Sequence, residues 1–298
     1  MGIFQGAFFI VGTGIGAGFI SGAELARFFP SVGFVLPVML SSVLFFLECL
    51  LFLRLGKRYG GYFGTLNSLF GRGATVVSVV ICLCALVPCA GMLAGLNSLL
   101  PSLSPLPALV GLAVVLLCIR KGMAGISALN SVLVPALLVF IFACSGGGRA
   151  EFATENLLPY GNGLLYACMN AFLAAPVLMD AGREMKRTVP PAAMASAVIG
   201  AGALCILSAV YGAGDGALNA EMPFLFVMRG SKLFFVAAAL AILTSLASAI
   251  YPMLCLCGRL NGKKKNAAKI GVLFAALLLS SLGIGGIVRV LYPVLGFG

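Results

Sequence analysis

The sequence has no histidine, and only eight of its 298 residues are acidic. Without imidazole, the commonest general base and metal ligand is missing. The few carboxylates form no pair at a spacing suited to acid–base catalysis. Ten cysteines are present, all in apolar stretches. Cys82 and Cys84, like Cys255 and Cys257, are two apart and point away from each other on a helix. They read as small buried hydrophobes rather than metal ligands. GTGIGAG (12–18) is glycine-rich, but it follows no soluble strand and opens no βαβ unit, so it is not a dinucleotide loop. No enzyme activity and no cofactor are expected. Charge is scarce as well: 9% of residues are charged and 61% are hydrophobic. A soluble domain of this size cannot hide so much apolar surface, so the chain reads as an all-α polytopic membrane protein.

A helix needs about 20 residues to span a bilayer. Spans are expected at 2–28, 32–55, 74–100, 104–119, 124–144, 160–181, 191–212, 231–257 and 266–284, with a shorter apolar segment at 285–298. That gives about nine full transmembrane helices plus a short or truncated tenth. Those last 14 residues reach about 21 Å, short of the ~30 Å core. The start lacks the charged region and cleavage site of a signal peptide, so the first segment is expected to stay as a span.

The net charge of +11 fits topology better than nucleic acid, for which no motif is visible. With the N-terminus in the cytoplasm, Arg54, Lys57, Arg58, Arg72, Arg120, Lys121, Arg183, Lys186, Arg187, Arg259, Lys263, Lys264, Lys265 and Lys269 lie on the inner side. Only Arg27, Arg149, Arg229, Lys232 and Arg289 fall outside. This asymmetry predicts an inside N-terminus in a bacterial inner membrane. Outer connectors hold Glu151 and Glu155 in one case, and Asp215, Glu221 and a lid-like piece at 223–228 in the other.

The first span, FIVGTGIGAGFISGAELARFFP (9–30), carries glycines at 12, 14, 16, 18 and 22. Each glycine inside a helix costs about 1 kcal/mol relative to alanine. Gly12 with Gly16, and Gly14 with Gly18, also fit the small-residue spacing of closely packed helices. The density points further, to a break between Gly12 and Gly18. Span 6, YACMNAFLAAPVLMDAG, has Asn170, Ala171, Ala174, Ala175 and Pro176 and reads as a second interrupted helix. Two interrupted helices five spans apart predict an inverted-repeat transporter in one domain, 1–298, with repeats 1–144 and 160–298. Broken helices offer backbone carbonyls to a cation and amino ends to an anionic group. Thr13, Gly14, Gly16 and Gly18 would then line the solute site, with Asn170 as the side-chain contact and Tyr166 and Phe172 flanking it.

VGTGIGAGFISGAEL (11–25) closely resembles the first-helix signature of the YkvI family of bacterial membrane proteins, and IVRVLYPVLGFG (287–298) resembles the start of that family's helix 10. The resemblance runs the length of the chain. It implies the LeuT fold, a 5+5 inverted repeat, within the amino acid–polyamine–organocation superfamily, and it implies no substrate. LTSLASAIYPM (243–253) is similar to helix 8 of sodium-coupled LeuT-type symporters. That likeness implies a sodium site with hydroxyls from Thr244 and Ser245 and carbonyls from Ala241, Gly12 and Ile15. The other reading of Thr244 and Ser245 is that they bond back to the preceding turn.

Glu24, three residues before Arg27, reads either as half of an interfacial ion pair or as a vestibule or proton-linked carboxylate. Glu48 is deeper, where a carboxylate is costly. It either pairs with a base near the inner face or acts as a proton site or gate. Asp180 is expected to pair with Arg183 at the surface. The function expected is secondary active transport of a small amino-acid-like solute by alternating access, with sodium as coupling ion. The alternatives are proton coupling, a passive channel, or a non-transporting solute receptor like the permease-like subunits of spore germinant receptors. The partners expected are the solute and the lipid bilayer. Protein partners are left open.

Overall fold

The computed structural model describes residues 1–29, 33–144, 157–220, 222–228 and 232–287, and every regular element among them is helical. Arg149, Glu151, Glu155, Glu221, Arg229, Arg289 and residues 288–298 of the tenth segment lie outside the described residues.

The first span is built in three pieces: α1 (Ile3–Gly14), α2 (Ala17–Ser21) and α3 (Ala23–Phe28). Ile15 and Gly16 are extended. Ile15 N still bonds to the Val11 carbonyl at 2.8 Å, and Ile20 N opens α2 by bonding to the Gly16 carbonyl at 3.1 Å. Between them the last carbonyls of α1, Gly12 among them, lose their helical donors.

The glycines of this span do different jobs. A Cβ on Gly12 would fall 2.6 Å from the Asn130 side chain, and one on Gly14 would sit 3.1 Å from Phe45 and Ile199. Those two glycines therefore serve close packing, as the alternative reading held. Gly22 has φ +77°, the left-handed turn that a side chain resists, and it swings α3 out of line with α2.

The remaining helices are α4 (Val35–Tyr59), α5 (Tyr62–Phe70), α6 (Ala74–Leu99), α7 (Leu106–Ile119), α8 (Met123–Cys144), α9 (Leu158–Glu184), α10 (Val189–Gly212), α11 (Asp215–Leu218), α12 (Pro223–Val227), α13 (Lys232–Gly258), α14 (Gly262–Ser280) and α15 (Gly283–Gly286). Among the described residues, six helical stretches are long and apolar enough to cross a membrane: α4, α5 with α6, α8, α9, α10 and α13. The expected spans 2 to 9 each find a helix. That of span 4, α7, is short, and that of span 9, α14, starts on three lysines. On α4, Leu36, Met39, Leu40, Val43, Leu47 and Leu51 are all exposed. Their spacing of three or four residues makes one apolar face, the surface that acyl chains cover. The short helix at 223–227 is packed down through Phe224, which is fully buried.

Span 6 departs from expectation. α9 runs unbroken from Leu158 to Glu184, through Pro176. Proline removes a single amide donor, and neighbouring helices hold such a helix in a membrane. What breaks span 1 is glycine, and span 6 has none between Gly163 and Gly182. Asn170 spends an amide hydrogen on the Tyr166 carbonyl within the helix, at 2.9 Å.

Glycines also set the tightest helix contact. A Cβ added to Gly56 would overlap the Met179 carbonyl of α9, and one added to Gly182 would overlap the Leu53 carbonyl of α4. Gly163 lies against the Pro37 carbonyl at the other end. Low numbers meet low and high meet high, so α4 and α9 run parallel. α1 and α10 do the same, with Gly6 on Pro191 and Gly14 on Ile199.

The end of α9 is pinned by two amines. The Met1 amine donates to the Glu184 carbonyl at 3.0 Å, and Lys57 Nζ donates to Lys186 at 2.9 Å and Met185 at 3.3 Å. Positive groups suit a helix carboxyl end. Asp180 is not simply a surface partner of Arg183. Its Oδ1 accepts the Tyr62 amide at 2.8 Å and its Oδ2 accepts the Tyr251 hydroxyl at 2.9 Å, joining α5, α9 and α13.

Candidate functional site

A cavity of about 100 Å³ opens where the first span breaks. That is several times the roughly 10–15 Å³ that a cavity needs to hold one water. Thr13, Gly14, Gly16, Gly18 and Asn170, the residues read from the sequence as a solute site, all line the cavity. Phe172 does not. It is 37% exposed on the outer face of α9, because two residues along a helix is a rotation of about 200°. Phe172→Ala is therefore expected to leave solute binding unchanged in a thermal-shift titration, whereas Asn170→Ala weakens it.

Four of the five residues expected around a cation come together. Ser245 Oγ has two acceptors within reach of its single hydrogen, the Ile15 carbonyl at the break and the Ala241 carbonyl at 3.0 Å. Thr244 Oγ1 donates to the same Ala241 carbonyl at 2.8 Å. Thr244 and Ser245 are buried, and Ser245 lines the cavity. The back-bonding reading thus describes these hydroxyls too, but it does not account for the bond from Ser245 across to Ile15. Gly12 stands one turn behind, facing Asn130, whose Nδ2 donates to the Phe9 carbonyl at 3.2 Å.

A hydroxyl chain continues along the wall. Thr13 Oγ1 donates to the Phe9 carbonyl at 2.8 Å, and Ser248 Oγ meets Thr13 Oγ1 at 3.1 Å. Phe28, Pro88, Met92, Met169 and Leu173 add apolar surface to the lining. The rings of Phe28 and Phe29 pack on Tyr166, with centroids 5.3 and 5.5 Å away. Tyr211 fixes that end of the chain by donating to the Phe29 carbonyl.

The two carboxylates singled out from the sequence part company. Glu24 lines the cavity; a methyl on Gly18 would overlap its carboxyl group. Glu48 lies away from the cavity, half-buried between α4 and α9. Its side chain meets the Cys168 thiol of α9, while its Oε2 is buried without a hydrogen-bond partner among the described residues. The base expected beside it is not the group it touches. Arg54 lies six residues on, about 240° round the same helix.

Sequence reasoning passed over Ser248, although it sits inside the quoted 243–253 motif one turn after Ser245. It also passed over Asn130, fully buried and with Oδ1 unpartnered among the described residues. An amide in an apolar span was the available signal.

Several helices long and apolar enough to cross a bilayer, with a cavity at the break in the first span lined by hydroxyls, Glu24, Arg27 and apolar side chains, describe a multi-pass helical membrane protein. The chain is similar to the uncharacterized membrane protein YkvI of Bacillus subtilis (strain 168): 23% identical over an alignment of 326 positions that covers 98% of this chain and 92% of that protein. The match runs the length of both and supports the YkvI-like character read from residues 11–25. The chain matches no family model.

Proposed function

We propose that the protein is a sodium-coupled secondary transporter of a small, amino-acid-like solute, working by alternating access in the bacterial inner membrane. The observation that carries this reading is the break at Ile15 and Gly16, set against Ser245 and Ala241 at the edge of a solute-sized cavity. Backbone carbonyls freed from a helix, together with hydroxyls, form an oxygen cage for a hard cation and need no titrating group. The helix pairing supports a LeuT-type 5+5 arrangement. Span 2 lies parallel on span 6 and span 1 parallel on span 7, and exchanging the two halves turns one pair into the other. The basic cluster at Met1, Lys57 and Lys186 supports a cytoplasmic N-terminus.

The test is thermal unfolding of the purified protein in detergent, with sodium exchanged for potassium or choline at constant ionic strength. An ion that binds only the folded state stabilises it, by about 2.7 kcal/mol at a hundredfold excess over Kd. Sodium alone is expected to raise the transition, and the Thr244→Ala, Ser245→Ala double variant is expected to lose the response. Equal melting in all three salts would rule the cage out.

A further inference from the structure

We propose that Glu24 is the group that binds a protonated amine on the transported solute. The solute class is then a small amine with an apolar body, amino acids included and 2-hydroxy acids disfavoured. This rests on the transport reading of the same cavity and narrows it.

Carboxylates are rare in this chain, and one placed within a membrane cavity is costly unless it has work to do. Glu24 is the acidic residue among those that line the cavity. The backbone aims it there. Ser21 Oγ donates to the Gly18 carbonyl at 3.0 Å, Gly22 turns left-handed, and α3 then carries Glu24 back over α2. Gly18 has no side chain in the space the carboxyl group fills. The carboxyl is therefore seated on the cavity wall rather than trailing into water.

Apart from Arg27 at the rim, the rest of the polar wall is neutral: Thr13, Ser21, Ser245, Ser248, Asn170 and the carbonyls at the break. An ammonium brings three donors and a full positive charge, and among the described lining residues the negative charge that answers it is on Glu24. A carboxylate offers about four acceptor sites, so contact with a protein group does not use it up. Arg27, three residues on and exposed, lies at the rim on the same face of α3. It is placed for the negative end of a zwitterion. Phe28, Met92, Met169 and Leu173 take the apolar body.

The experiment uses two matched sets in thermal-shift titrations of the full-length protein in sodium: alanine, lactate and ethylamine; leucine, 2-hydroxyisocaproate and isopentylamine. In the wild type, the amino acids and amines of at least one set are expected to bind about tenfold or more tightly than the hydroxy acid, as befits a charge-assisted contact. In Glu24→Gln the gap closes to about threefold or less. Gly18→Ala, which displaces the carboxyl group while keeping it, gives the same loss. If hydroxy acids and amino acids bind alike in the wild type, or the preference survives both substitutions, the amine assignment falls and the transport reading stands. If no compound of either set shifts the transition, both fall.

Discussion

Gly56→Ala and Gly182→Ala are each expected to destabilise the protein severely, by about 3–5 kcal/mol or to the point where little folded protein is recovered. Elsewhere the same change helps: alanine is the better helix former by about 1 kcal/mol. Here the sign reverses, because the new Cβ of either residue would overlap a main-chain carbonyl of the facing helix, Met179 or Leu53. A carbonyl inside a helix has no rotamer to escape into, so α4 and α9 must separate. In a membrane no hydrophobic force opposes that separation, and helices associate through close packing. The double variant is expected to cost less than the sum of the two, since one separation relieves both overlaps. Gly161→Ala is the control: nothing lies within 4 Å of its added Cβ, and its melting is expected to be unchanged or slightly raised. Yield and melting by fluorescence-detected size exclusion decide the matter. Wild-type melting of Gly56→Ala would overturn the close contact.

That contact also shows what was legible in the sequence. The break in span 1 was, because five glycines within eleven residues are a local signal that needs no neighbour to interpret. The hydroxyls at 244 and 245 and the cavity-lining residues 13, 14, 16 and 18 could be singled out for the same reason: each lies in a short motif that stands out without its neighbours. What stayed hidden depended on a partner. Gly56 and Gly182 are unremarked until α4 is laid on α9. Asp180 looks like the start of a charged surface run until Tyr62 and Tyr251 arrive from 118 and 71 residues away. Phe172 was misplaced by one facing, since proximity to Asn170 in sequence says nothing about which side of α9 it takes. Pro176 was over-read. A lone proline removes one hydrogen bond, whereas clustered glycines remove the preference for helix itself.

Asp180→Ala should loosen the end of the molecule beneath the cavity. Asp180 lies ten residues beyond Asn170 on α9, about 15 Å along the helix, and Tyr251 is one turn beyond Ser248 on α13. The carboxylate therefore ties α9, α13 and the start of α5 together between the cavity and the basic end of the bundle. Removing it leaves the Tyr62 amide without its acceptor and takes from the Tyr251 hydroxyl its carboxylate partner, leaving the Cys255 thiol beside it. A stranded buried donor costs about 1–3 kcal/mol, more where a charged partner is lost. Asp180→Asn keeps one acceptor and can still meet both groups, so it is expected to lose less. Tyr251→Phe removes only one of the two bonds and should lie between the wild type and Asp180→Ala. The separating measurement is thiol labelling, mapped by peptide mass spectrometry on the full-length protein. Cys255 follows Tyr251 by one turn, and Cys82 Sγ lies 3.6 Å from the Pro252 carbonyl. Both are partly buried. A 1.4 kcal/mol loosening multiplies the open population tenfold, so labelling of both thiols should rise by about tenfold or more in Asp180→Ala. Cys89, fully buried beside the cavity level of α6, should keep its wild-type rate. A uniform rise at all three thiols would mean general unfolding. An unchanged rate at Cys255 and Cys82 would mean that the carboxylate holds nothing closed.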